Sequence, residues 1–310
     1  MEYFYLILGL VVLVVGGGVL VRGAVAIAYR YELSPLVVGM TIVSFGTSAP
    51  ELLVSVQAAL EGHPQISIGN IVGSNISNLA LVLGITTIIF PMPVKENTIK
   101  IDWPMMMGAT ILFYLVVAFD GVLNWYEGLS FVIILVAFLF WLIRKSRKES
   151  KLEEKVETNE EAESMVKSIS LVVAGCVGLA LGAKWLLDGA VTIAENFGVS
   201  EHIIGVTIVA FGTSVPELTT SCIAAFRKQT DISLGNLIGS NLFNILAILG
   251  ITGMIKEIPI SAEVLSYDIF WVLGISFFIL PLVVFDKKIS RLGGSILFAA
   301  YVAYVYFLLR

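Results

Sequence analysis

The sequence predicts an all-α integral membrane protein: ten transmembrane helices in two inverted-topology five-helix repeats, with helices 2, 3, 7 and 8 broken. Three observations predict it. The first is composition. Hydrophobic residues make up 57% of the chain and charged residues 14%, where a soluble domain is about a quarter charged. Mean hydropathy is +0.93. The second is length. Apolar stretches long enough to cross a bilayer, about 18 residues or more, fall at roughly 3–27, 36–60, 66–90, 103–120, 126–143, 168–194, 202–226, 232–254, 264–285 and 292–309. None shows the strict alternation of a membrane β-barrel. The third is a repeat. Residues 39–84 and 205–250 align without a gap, about half of their positions identical, at a constant offset of 166 between Glu51 and Glu217.

The first stretch opens Met-Glu, not with basic residues, and lacks a clear small-residue cleavage site. It therefore reads as the first spanning helix, not a cleaved signal. With ten spans the connections alternate between two sides. Sixteen of the 19 basic residues lie in or beside the odd connections, while Lys256 and Arg310 lie on the other side and Lys184 within a span. The positive-inside rule then puts the 144–167 loop in the cytoplasm and both termini outside. A cell (plasma) membrane location is expected.

Residues 144–167 form the one long polar linker. Its mixed charges suit a solvated spacer, and no EF-hand ligand pattern is present. The linker divides the chain into a first five-helix repeat, 1–143, and a second, 168–310. Five is odd, so the second copy enters from the opposite face, which gives an inverted repeat. The similarity extends into the first helix of each half, where Leu20-Val21-Arg22-Gly23-Ala24-Val25 parallels Leu186-Leu187-Asp188-Gly189-Ala190-Val191. Cys176 and Cys222 fall in apolar spans and read as packed thiols.

The first motif is Gly46-Thr47-Ser48-Ala49-Pro50-Glu51, repeated as Gly212-Thr213-Ser214-Val215-Pro216-Glu217. Proline lacks an N–H and interrupts a helix. Carbonyls released around Ser44–Thr47 and Ala210–Thr213 need partners at membrane depth, and a bound cation is one solution. Ser44, Thr47, Ser48, Glu51 and Ser55 recur at three- and four-residue steps and share a helix face. Ser48-x-x-Glu51 also matches a capping box. Capping alone is a weak reason to hold a carboxylate mid-span, where its charge costs at least ~2.5 kcal/mol.

The second motif is Gly69-Asn70-Ile71-Val72-Gly73-Ser74-Asn75-Ile76-Ser77-Asn78, repeated from Gly235 to Asn244. The Gly69/Gly73 and Gly235/Gly239 pairs fit close helix packing. Packing does not require the asparagines. Asn70, Ser74 and Asn78 line one face, as do Asn236, Ser240 and Asn244, while Asn75 and Asn241 point elsewhere and are expected to bond nearby backbone. Together the motifs offer two carboxylates with amide, hydroxyl and carbonyl oxygens. Neither His63 nor His202 falls among them; both read as surface loop residues. An oxygen-only donor set favours Ca2+, Na+ or Mg2+. Two carboxylates neutralise one Ca2+, and calcium accepts irregular shells of about 6–8 oxygens.

These doubled signatures, with the ten-helix plan, resemble the α-repeats of the sodium/calcium exchangers in the calcium/cation antiporter superfamily, in the form that lacks regulatory domains. The resemblance implies Na+-driven Ca2+ exchange by alternating access. It implies that Glu51 and Glu217 bind Ca2+ together with the Thr47 and Thr213 carbonyls. It implies Na+ sites at Ser48, Ser74, Ser214, Ser240 and the carbonyls near Ser44 and Ala210, with Asn78 and Asn244 completing the centre. Helices 1 and 6 would slide against the rest. One departure from the pattern matters. Several relatives place an aspartate at one central amide position, whereas this chain has asparagine at both. The site charge is then fixed at −2 when both glutamates are ionised, and potassium co-transport is disfavoured. The ions are cargo: no cofactor, no enzymatic activity and no nucleic-acid partner is expected, and the lipid bilayer is the surrounding partner. The alternative is a proton/calcium antiporter using the same glutamates, although the glycine-asparagine-glutamate signature usual in such relatives is absent.

Overall fold

A computed structural model describes residues 2–150, 164–198 and 210–308. Nearly all of these are helical. In chain order the helices are α1 (Glu2–Arg30), α2 (Pro35–Thr47), α3 (Ala49–Glu61), α4 (Pro64–Ile89), α5 (Thr98–Val117), α6 (Trp125–Ser150), α7 (Met165–Asn196), α8 (Ala210–Thr213), α9 (Val215–Phe226), α10 (Thr230–Ile255), α11 (Val264–Val284) and α12 (Arg291–Leu308). Among the described residues eight helices are long and apolar enough to cross a bilayer, and the bent pair α2–α3 makes a ninth. The start of the expected seventh span, 202–209, lies outside the described residues, as do His202, Arg310, most of the 144–167 linker and the beginning of the second repeat region.

Helices 2 and 7 break where proline predicts. The α2–α3 axis bends by 45° at Ser48, and α8 gives way to α9 at Ser214. Helices 3 and 8 correct the expectation. Each runs unbroken, as α4 and α10. Their sequences contain no internal proline, the Gly-Asn motifs run as regular α-helix to Ile76 and Leu242, and wide π turns follow at Ser77–Val82 and Phe243–Leu249. A π turn shifts the register of following side chains without severing the helix.

Four short strands tie the connections together. Met92–Pro93 (β1) pairs with Lys288–Ile289 (β4), and Val122–Leu123 (β2) pairs with Ile258–Pro259 (β3), both antiparallel. Adding 166 to β1 gives β3, and to β2 gives β4. Each strand therefore pairs with the counterpart of the other, the pattern that a twofold exchange of the halves generates. The same exchange governs helix packing. A methyl group on Gly84 would lie 3.0 Å from the Gly294 carbonyl, and one on Gly128 would lie 2.5 Å from that of Gly250. Gly84 and Gly250 are repeat equivalents, as are Gly128 and Gly294. Along the α1–α7 contact, the glycines face one another crosswise. A methyl on Gly9 would lie 2.7 Å from the Gly182 carbonyl, and one on Gly16 would lie 3.3 Å from that of Gly175. Only residues without a side chain permit such backbone approach.

The larger apolar core surrounds α4 and α10, which are enclosed by α5, α6, α11 and α12. A smaller cluster joins α1, α7 and the first turns of α2. Two other contacts group the connections. Lys95 meets Asp231 at 2.7 Å, and the Ser34 N–H donates to Ser146 Oγ at 2.8 Å. The turns after α3 and α9 share a left-handed residue at equivalent positions, Gly62 at φ 89° and Lys228 at φ 60°.

Candidate functional site

Glu51 and Glu217 open α3 and α9, one residue past each proline. Both are 1% exposed, and their carboxyls interact electrostatically across the interface between the halves. Among the described residues neither forms an ion pair with a basic side chain. Oε2 of each carboxyl is buried without a hydrogen-bond donor. Buried oxygens without donors are rare in native proteins, and each calls for an explanation.

The capping alternative is not realised. Ser48 makes no side-chain capping bond to α3; its hydroxyl donates to Glu217 Oε1 at 3.4 Å, from the other half. Ser214 likewise caps nothing, and its Oγ is among the buried atoms without a partner. Pro50 removes the N–H that would reach the Gly46 carbonyl, and Pro216 the one for Gly212; helical bonding resumes with Leu52 N to Ser48 O at 3.1 Å and Leu218 N to Ser214 O at 3.0 Å. The Ser44 carbonyl is engaged: it accepts the Ser48 N–H at 2.9 Å and the Thr47 hydroxyl at 3.3 Å. The Ser44 hydroxyl donates to the Gly39 carbonyl at 2.8 Å.

The first motif of one half meets the second motif of the other. Thr47 Oγ1 lies 3.1 Å from Asn236 Oδ1, an acceptor that shares the one hydroxyl proton with the Ser44 carbonyl, and 3.3 Å from Ser240 Oγ. Ser74, Ser240, Asn78 and Asn244 are all buried in the centre of α4 and α10. Ser74 Oγ, Asn78 Oδ1 and Asn244 Oδ1 lack donors. Thr213 is half-buried at the end of α8. The backbone of Ala210 opens α8; its side chain lies outside the described residues. Contacts thus link Ser48 with Glu217 and Thr47 with Asn236 and Ser240, Glu51 interacts electrostatically with Glu217, and Ser74, Asn78 and Asn244 lie on the same two central helices.

Three roles escape sequence reading. Asn70 Nδ2 donates to Ser55 Oγ at 2.9 Å, and Asn236 Nδ2 to Ser221 Oγ at 3.1 Å. These bonds clamp each glutamate helix to the neighbouring asparagine helix. The signal was available, because Ser55 and Ser221 continue the polar face of the first motif. Asn75 was expected to bond nearby backbone. Instead its amide reaches the Asn241 carbonyl at 3.4 Å, and its Oδ1 accepts from Asn244 at 2.9 Å, both in the other half. Asn241 does bond its own helix, donating to the Leu237 carbonyl at 2.7 Å.

Chemically, the arrangement presents two acids and several neutral oxygen acceptors in a protein interior. That donor set suits a hard cation and offers nothing to a soft one.

Comparison with known proteins follows this geometry. The family model for the sodium/calcium exchanger protein matches residues 1–144 and 167–310. CaxA of Alkalimonas amylolytica is 37% identical over 98% of this chain and 97% of its own length. MaX1 of Methanosarcina acetivorans, a sodium/calcium exchanger, is 32% identical over 98% and 97%. ChaA of Bacillus subtilis, a Ca2+/H+ antiporter, is 30% identical over 67% and 64%. A solved structure of the sodium-calcium exchanger NCX_Mj soaked with 2.5 mM Na+ and 0.1 mM Ca2+ superposes with a TM-score of 0.85 at 32% identity, covering 99% of this chain and 98% of that one. With both halves matched by the family model, this chain is an integral membrane cation antiporter and belongs to the sodium/calcium exchanger protein family.

Proposed function

We propose that the protein exchanges Ca2+ for Na+ by alternating access, with the cations held between Glu51 and Glu217. The observation that carries this reading is the meeting of two equivalent buried carboxyls without basic partners. Ca2+ between them leaves a neutral site. Na+ ions on adjoining oxygens compete for the same charge: Ser48, Ser74, Ser214 and Ser240 with the carbonyls near Ser44 and Ala210. Asn78 and Asn244 complete the centre, and the Thr47 and Thr213 carbonyls complete the Ca2+ shell. An empty site carries two charges, each costing at least ~2.5 kcal/mol at mid-membrane, so it crosses poorly. That asymmetry between loaded and empty states couples the two ions. The step is binding and release, with no covalent chemistry.

The proposed architecture is ten spans in two inverted repeats, 1–143 and 168–310, joined by a cytoplasmic linker, with both termini outside and the chain in the cell membrane. The paired connections support it. β1–β4, Lys95–Asp231 and Ser34–Ser146 join odd connections to odd ones, and β2–β3 joins even to even. Ten spans require that grouping.

A second reading has an observation of its own. ChaA, a Ca2+/H+ antiporter, shares 30% identity with this chain, and the same carboxyls could carry protons. One experiment separates the two. Radiolabelled Ca2+ uptake into proteoliposomes at clamped pH is expected to require an outward Na+ gradient. Uptake driven by a proton gradient and indifferent to Na+ would establish the second reading.

A further inference from the structure

The twofold exchange is obeyed by the strands and glycine contacts but broken in the packing of α1 and α7. α1 and α7 are equivalent, as are α3 and α9. α1 packs along α9, whereas α7 makes no comparable contact along α3. Arg227 Nη1, at the end of α9, donates to the Gly18 carbonyl at 3.0 Å. A methyl on the adjacent Gly17 would sit 2.9 Å from Ile223 Cδ1 and 3.3 Å from Thr219 Cγ2. Exposure records the difference. Thr220 on α9 is fully buried, while its equivalent on α3, Val54, is 40% exposed. One end of the molecule is therefore covered by α1, and the matching surface at the other end is not covered by α7.

In an inverted-repeat transporter the opposite state is reached when the halves exchange roles. Applied here, the exchange brings α7 along α3. It maps Arg227 onto Glu61 and Gly18 onto Lys184. The chemistry at the mapped positions is complementary. In the observed contact a donor on α9 meets a carbonyl on α1. In the mapped contact the donor, Lys184, is on the helix that moves, and the acceptor, Glu61, is on α3. Both side chains are exposed. Among the described residues Glu61 accepts a hydrogen bond from Gln57 on its own helix, at 2.8 Å, and no other, and Lys184 forms no ion pair. Lys184 is otherwise unexplained: it stands in a long apolar helix outside the cation cluster, where a basic residue is costly and calls for a partner.

We propose that Lys184 and Glu61 form the ion pair that latches α7 onto α3 in the alternate state, the counterpart of the Arg227–Gly18 contact. The inference rests on the antiport reading, since a fixed channel or binding protein has no need of the second state.

The test combines a charge-reversal cycle with cross-linking. In proteoliposomes Lys184→Glu and Glu61→Lys are each expected to slow Ca2+ exchange about two- to fivefold, the scale of an exposed ion pair. Lys184→Glu with Glu61→Lys restores the rate, while Ca2+ binding in detergent is unchanged throughout. Single variants at the wild-type rate, or a double variant no faster than the singles, overturn the proposal. As a second arm, Glu61→Cys with Lys184→Cys, in a chain carrying Cys176→Ser and Cys222→Ser, is expected to form a disulfide under mild oxidation. The bond should stop exchange until it is reduced. Absence of the disulfide in protein that still exchanges also overturns the latch. Failure of the wild type to exchange Ca2+ for any counter-ion would instead sink the functional reading, and the cross-link would still decide whether the two residues meet.

Discussion

Asn244 donates its amide to Asn75 Oδ1 at 2.9 Å, joining the two central helices across the interface between the halves. The Asn75 amide continues the link to the Asn241 carbonyl at 3.4 Å. A buried pair of this kind sets the separation of α4 and α10, and with it the spacing of the oxygens around the carboxyls. Asn75→Ala removes both bonds and leaves the Asn244 amide without its acceptor. Orphaning a buried amide costs about 1–3 kcal/mol. A lower midpoint of thermal unfolding in detergent is expected. An unchanged midpoint with unchanged Ca2+ affinity would show that this link does not position the site.

Glu51→Gln and Glu217→Gln keep the shape of each side chain and remove one charge. Removing one partner from a buried charge pair costs about 3–5 kcal/mol. Each variant is therefore expected to weaken Ca2+ binding by at least about 100-fold and to abolish gradient-driven uptake. Binding titrations on purified protein check the first, and radiolabelled uptake the second. Normal uptake in either variant would remove that residue from the site.

Chelation gives a test free of transport. A cation that binds the folded protein stabilises it by an amount that grows with the logarithm of its concentration, about 2.7 kcal/mol at a hundred times the dissociation constant. Ca2+ is expected to raise the unfolding midpoint of the wild type, and a chelator to reverse the rise. Glu51→Gln should show neither response. Equal stabilisation of wild type and variant by Ca2+ would place the bound ion elsewhere.

The glycine contacts predict a position-specific cost. A methyl on Gly128 would lie 3.0 Å from the Met254 amide nitrogen, and one on Gly84 at the same distance from the Phe298 amide nitrogen. Backbone cannot yield as a flexible side chain can, and overpacking costs about 1–3 kcal/mol. Gly128→Ala and Gly84→Ala are expected to lower the unfolding midpoint. Gly274→Ala meets no neighbour within 4 Å among the described residues and serves as the control. Equal midpoints for all three would refute the close approach.

Much of the candidate cluster was legible from Glu51, Glu217 and the residues spaced around them, because a polar residue in an apolar span is expensive and must be explained. The constant 166-residue offset identified the equivalent partners. The direction of the Ser48 hydroxyl was not legible. A serine three residues before a glutamate satisfies a helix cap as well as it satisfies a distant carboxylate, and the choice depends on α9 arriving from the other half. Asn75 was misplaced for the same reason: its partners, Asn241 and Asn244, are remote in sequence.

Sequence by itself determined the membrane environment, the internal repeat at a constant offset, the proline breaks at helices 2 and 7 and the residue types of the candidate site. These follow from hydropathy, repetition and local backbone chemistry, which act over neighbouring residues. Tertiary structure alone decided that helices 3 and 8 continue through π turns, that the strands pair crosswise between halves, and that α1 covers α9 while α7 leaves α3 exposed. Those outcomes are set by contacts between segments far apart in the chain. There, alternatives of similar local energy are separated only by what packs against them.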